Sequence, residues 1–111
     1  MSGETFVFSL QLEDDFYYLG ISTNPIGELR KHHRGSHPWT SLHKPERLIS
    51  ARSGTEQDLK EAVLFWMAKV GIDKVRGGPY QEVIIPEGLK TSLRIETRLM
   101  REKALTGETL P

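Results

Sequence analysis

Any fold of this chain must accommodate one helix that has almost no polar face. Thr55 is a capping residue, with Asp58 three positions on and Glu56 in the first turn, so a helix starts there. Leu59, Ala62, Val63, Trp66 and Val70 recur at helical spacing, and Leu64, Phe65 and Met67 widen the stripe. Little polar remains beyond Lys60, Glu61 and Lys69. Gly71 ends the segment, giving a predicted helix over Glu56 to Val70. A helix this apolar sits at the centre of a core or is covered on a second side. The rest of the chain has to supply that cover.

The cover reads as a small sheet. From Thr5 to Leu12, Phe6, Phe8 and Leu10 alternate with Val7 and Ser9, which predicts a strand. Glu13-Asp14-Asp15 is a hairpin tip, and Phe16 to Ile21 is the second strand. Ser22-Thr23-Asn24-Pro25 supplies a polar cap followed by Pro in the first turn, where its missing N–H costs nothing. A short helix follows from Pro25 to His33, with Ile26 and Leu29 as its apolar edge and Arg30, Lys31 and Arg34 facing out. Gly35-Ser36-His37-Pro38 breaks it. Trp39, Leu42 and Pro45 are expected to fold back over the sheet, and Arg47 to Ala51 is the third strand.

After the long helix, Ile72 to Tyr80 reads as a loop with a double glycine, and Gln81 to Ile85 as a short strand or extended piece. Leu89 to Ala104 is the last helix, with Leu89, Leu93 and Met100 as its packing edge. The fold class is therefore α/β, a small three-stranded, mainly antiparallel sheet flanked by helices. The expected organisation is one domain over residues 1–87, a C-terminal helix packed on it over 88–105, and a flexible tail over 106–111.

Composition narrows the chemistry. There is no Cys among the 111 residues, which excludes disulfides, zinc-thiolate sites and thiol catalysis. No apolar run is long enough to span a bilayer, and the first residues lack a signal peptide's basic region, so the expected setting is soluble and intracellular, cytoplasm or nucleoid. Net charge is zero but unevenly spread: residues 1–25 hold acids and no Lys or Arg, whereas Arg30, Lys31, Arg34, Lys44, Arg47, Arg52 and all four histidines fall between 26 and 52. The middle of the chain is a local basic patch.

The order strand, hairpin, strand with Tyr18-Leu19-Gly20, short basic helix, strand, long helix resembles the GIY-YIG nuclease superfamily. The first signature would sit at Phe6-Val7-Phe8. Asn24-Pro25 and the run to His32-His33-Arg34-Gly35 look like the family's turn and helix. Trp39-Thr40, His43-Lys44-Pro45, Met67-Ala68-Lys69, Gly71-Ile72-Asp73 and Val75-Arg76-Gly77-Gly78 with Tyr80 are similar to a subgroup found in large DNA viruses and microbes. The resemblance spans residues 5–85. It implies a metal-assisted endonuclease using Mg or Mn, with Tyr18 as base or orienter, Arg30 or Arg34 on phosphate, and Glu61 on the metal. The sequence departs from the pattern at three places. Phe8 stands where a Tyr is expected, Glu28 where a phosphate-stabilising Arg is expected, and Phe65-Trp66 near the place of the metal-binding Glu. The implied outcome is a GIY-YIG-like domain that binds DNA or RNA, has lost cleavage and needs no cofactor.

For such a domain the candidate contacts are Tyr17, Arg30, Lys31, His33, Arg34, Lys44, Arg76, Lys90, Arg94 and Arg98. Tyr17, Tyr18 and Trp39 beside the basic helix suit base stacking, unless Tyr18 and Trp39 are core. Arg76-Gly77-Gly78 offers a guanidinium and backbone N–H groups to a phosphate, or forms a tight turn. Lys90, Arg94, Arg98 and Arg101 form one basic helical stripe that tracks a phosphate backbone or is simply solvated. His32, His33, His37 and His43 lack a His-Glu-x-x-His spacing and read as surface groups or phosphate contacts rather than a metal site. A third possibility is a protein-interaction module or homo-oligomer using helix 56–70 or 89–104.

Overall fold

A computed structural model describes residues 4–35 and 37–105. The expected tail at 106–111 lies outside the described residues. The elements are β1 (Phe6–Leu12), a 3₁₀ turn at Glu13–Asp15, β2 (Tyr17–Ser22), α1 (Pro25–His33), α2 (Pro38–Leu42), β3 (Pro45–Ser53), α3 (Glu56–Val70), a second 3₁₀ turn at Ile72–Lys74, β4 (Val75–Gly77) and α4 (Glu87–Leu105).

Local chemistry sets the helix starts. The Asn24 side chain accepts from the Gly27 N–H at 3.1 Å, with Pro25 in the first turn of α1. Thr55 and Asp58 form a reciprocal capping box at the start of α3. Both starts fall where the sequence puts them.

The sheet corrects the expected one. It has four strands in the order β3-β1-β2-β4, with β1–β2 and β1–β3 antiparallel and β2–β4 parallel. The fourth strand is Val75–Gly77, inside the stretch read as a loop, and residues 81–85 form no strand. A three-residue strand is too short to show a period of two, and its central Arg76 reads as polar although it is buried. The third strand runs longer than expected, and among the described residues its other edge carries no further strand.

Each sheet face has its own core. Val7 and Leu19 point to the face covered by α3 and α4, where they meet Leu59, Val63, Leu64, Met67 and Leu93. Phe8, Leu10, Leu12 and Tyr18 point to the opposite face, where Trp39 and Leu29 cover them. In α3 the buried residues are Leu59, Val63, Leu64 and Met67, whereas Phe65 is 55% exposed. α2 is a helix where only a fold-back was expected: Trp39 turns in and Leu42 turns out to solvent. Among the described residues no helix is long and apolar enough to cross a membrane.

Candidate functional site

On the face opposite α3, β2, α1 and α2 bring Tyr18, His32 and His37 together. Their ring centroids lie 4.6 Å (Tyr18–His32), 4.8 Å (Tyr18–His37) and 5.6 Å (His32–His37) apart. Gly20 makes room beneath: a Cβ there would lie 2.6 Å from the Phe8 ring. Thr40 from α2 and Gln81 from the segment after β4 close the cluster.

Hydrogen bonds tie the cluster together. The Trp39 N–H donates to His37 Nδ1 at 3.1 Å, so neutral His37 carries its proton on Nε2 and donates it to Gln81 Oε1. Tyr18 donates to the same oxygen at 3.4 Å, and Gln81 Nε2 donates to the Gly78 carbonyl at 2.7 Å. Thr40 Oγ1 lies 2.7 Å from His32 Nδ1 and 3.4 Å from the His37 carbonyl, and its one proton can serve only one of them.

Burial tunes the same groups. It raises the Tyr18 hydroxyl pKa, opposed by the Gln81 bond and reinforced by Glu28. It lowers the His32 pKa, helped by neighbouring His37 and opposed by Glu28. Tyr18 is accordingly a poor base at neutral pH. His32 is neutral in the fold but takes a proton near pH 6.5 when unfolded. Its contribution to stability is complete above about pH 6.5 and is lost as pH falls toward its depressed folded value. Urea midpoints are expected to drop between pH 7.5 and pH 5, by up to about 1.4 kcal/mol per pH unit for this group. A His32→Gln variant should show a shallower decline, and an unchanged slope would exclude His32 as the source.

The residues expected at the site divide between the two faces. Arg30, Lys31, His33 and Arg34 are exposed on α1, with Lys31 paired to Glu28 at 3.3 Å. Lys44 is exposed just before β3, beside the turn at Glu13. Tyr17 turns the other way and its ring lies 4.8 Å from Trp66 of α3, so it is no stacking platform beside α1. Arg76 is 2% exposed and spends its guanidinium on the carbonyls of Ile72, Val75, Glu82 and Val83. It is a structural arginine rather than a phosphate contact. The α4 stripe lies on the α3 side and is largely paired: Lys90 to Asp73 at 2.9 Å, Arg94 to Glu87 at 3.7 Å and Arg98 to Glu102 at 3.6 Å.

The expected catalytic set is not assembled. Tyr18 packs against Phe8 and Trp39 on one face, whereas Glu61 is exposed on α3, across the sheet. Glu61 accepts from Gln57 at 3.0 Å, and Asp58 one turn earlier is committed to the Thr55 cap. A magnesium or manganese ion needs several oxygen ligands in near-octahedral order, and these two side chains do not fit that need. Among the described residues no group of three or more His, Asp or Glu could hold a metal.

A concavity lies on the Glu61 side. It is a groove of about 990 Å³ between β3 and α3, with Ser9, Ser50, Arg52, Glu61, Phe65 and Trp66 in its lining. It shares no chemistry with the histidine cluster.

The chain matches no model of a known protein family, no curated protein and no solved structure.

Sequence reasoning missed the parts that define the cluster. His32, expected as a surface group or phosphate contact, is 5% exposed, and Gln81 falls in a stretch expected as a short strand or extended piece. The one available signal was spacing: His32 lies three residues beyond Leu29, on the apolar edge of α1.

Proposed function

We propose that this chain is a nucleic-acid-binding domain of GIY-YIG-like ground plan that binds without cutting. The observation that carries the reading is the separation of Tyr18 and Glu61 by the sheet. A phosphodiester hydrolase has to bring its hydroxyl, its cation and its metal ligand to one phosphorus. Here Phe8 has no hydroxyl, Glu28 occupies the helix position where a cation is wanted, and Glu61 is on the wrong face. Binding needs less. The end of α1 offers Arg30 and Arg34 to solvent with His33 beside them, and the helix's C-terminal carbonyls favour cations there. Lys44 and Lys31, the latter paired to Glu28, are exposed as well. An intracellular setting belongs to this proposal.

The test is a gel series with labelled single- and double-stranded DNA and RNA and a branched DNA, in EDTA, magnesium or manganese, run native and denaturing. Retarded, intact substrate is the expected result. Three phosphate contacts predict a slope near −2 for log affinity against log salt on single strands, at about 0.7 per contact. The Arg30→Ala, Arg34→Ala double variant should flatten that slope by about 1.4. Metal-dependent cutting that Glu61→Ala abolishes would restore the active endonuclease.

A second reading, a protein-interaction module, draws on the groove beside α3 and on exposed Phe65. Absence of binding to every nucleic acid at low salt, with a stable homo- or hetero-oligomer, would favour it.

A further inference from the structure

We infer that the outer face of α3 is a docking surface for a second copy of this chain, the two α3 helices packing antiparallel across a two-fold axis at Phe65. The inference stands apart from nucleic-acid binding and holds under either reading above.

The observation is a stripe that complements itself. Leu59, Val63 and Met67 turn α3 toward the sheet, and Glu61, Phe65 and Lys69 are left exposed at intervals of four residues. Phe65 is 55% exposed. A lone exposed apolar side chain is ordinary. This one is continuous with the groove between α3 and β3, whose lining also includes Val7, Ala62, Trp66 and Met100. The ring extends an apolar surface.

The charges name the occupant. Glu61 precedes Phe65 by one turn and Lys69 follows it by one, each about 6 Å along the axis. An antiparallel copy centred on Phe65 sets Glu61 against Lys69 of the partner subunit, and Lys69 against Glu61 of the partner subunit. A parallel copy would set like charges together, which fixes the direction. Neither group has an opposite charge beside it among the described residues. Glu61 accepts from Gln57 at 3.0 Å, and Lys69 Nζ lies 5.2 Å from the centre of the Trp66 ring. The cations of α4, by contrast, meet acids of their own chain. Arg101 donates to the Ala68 carbonyl at 3.2 Å and adds to the basic end of the stripe.

The remaining helix neighbours of Phe65 are Ala62 and Ala68. In the same register Ala62 meets Ala68 of the partner subunit, so the helices approach closely and the two Phe65 rings stack offset at the axis. A stripe running acid, aromatic, base does not select a partner of one sign. It fits its own copy, residue against residue, as an isologous contact requires. Because α1 packs on the other face of the sheet, the pairing leaves its basic end open.

The experiment is sedimentation velocity on the intact chain from low-micromolar to near-millimolar concentration, with folding checked by circular dichroism. An interface built on one helix face is smaller than the standard size, so a monomer–dimer equilibrium in the micromolar range is expected. Phe65→Asp should weaken it at least about tenfold. Glu61→Lys and Lys69→Glu should each weaken it about tenfold, because two attractive pairs become repulsive. Both swaps in one chain, or the two single variants mixed in equal amounts, should return the dissociation constant to within about threefold of the original. Phe65 is exposed, so Phe65→Asp leaves the core intact and carries the test should a charge swap fail to fold. A chain that stays monomeric throughout would overturn the inference, and so would a species larger than a dimer. A dimer indifferent to Phe65→Asp, or single swaps that their combination does not repair, would overturn it as well.

Discussion

Arg76→Leu is expected to cost at least about 4 kcal/mol, a large part of the total stability of a domain this size. The guanidinium donates to the carbonyls of Glu82 at 2.6 Å, Val75 at 2.7 Å, Ile72 at 2.8 Å and Val83 at 2.9 Å, and lies 4.6 Å from the centre of the Trp39 ring. Leucine would replace the volume but strand those carbonyls, whose only compensation is the relief of a desolvated charge. The effect should also reach the Tyr18–His37 cluster. Gln81 precedes two residues that Arg76 holds, and Gln81 is the shared acceptor for Tyr18 and His37. Arg76→Lys should recover only a fraction, because one ammonium lacks the planar fork that spans both segments. Urea denaturation of the three proteins measures this, and a loss below about 1 kcal/mol for leucine would show that water replaces the guanidinium easily.

Gly77→Ala is expected to destabilise by more than about 3 kcal/mol, through backbone rather than side-chain interactions. Gly77 has φ +146°, and an added Cβ would lie 2.1 Å from the Leu19 carbonyl oxygen. That oxygen belongs to the strand with which Gly77 pairs. No rotamer relieves such a clash, so β2 and β4 must part or the glycine must change conformation. Gly88 provides the contrast. It is helical, nothing lies within 4 Å of its Cβ position, and Gly88→Ala should be neutral or stabilising by up to about 1 kcal/mol. Thermal melts of the pair should move in opposite directions. A mild loss at Gly77 would mean that β4 is dispensable.

The elements legible from sequence were those with a long period or a cap. Glu56 to Val70 and Pro25 to His33 have the predicted bounds because Thr55, Gly71 and Asn24-Pro25 mark them chemically. β1 and β2 were legible from alternation and from the acids between them. β4 was not, since its three residues include a charged side chain and a glycine, the usual marks of a loop. The same blindness hid the site. Buried Arg76 and His32 are satisfied by groups distant in sequence: Glu82 and Val83 for one, Thr40 for the other. A charge reads as surface until the carbonyls that meet it are known. Conversely, the α4 stripe looked like a phosphate track because its acidic partners, Asp73 and Glu87 among them, lie on other turns or another segment.

The short parallel pairing of β4 has a kinetic consequence. Tyr17 pairs with Val75 across most of the chain, whereas β1 and β2 meet through a tight turn. The hairpin closes a small loop and forms early, but β4 can dock only after the intervening helices and β3 are in place. With three residues of ladder, it is also the strand that detaches at the lowest free energy. Amides of 75–83 should therefore exchange with solvent deuterium well before those of β1. Because Gln81 travels with that segment, Tyr18 and His37 lose their common acceptor each time it lifts. The cluster around Tyr18 is the last part of the molecule to assemble and the first to breathe.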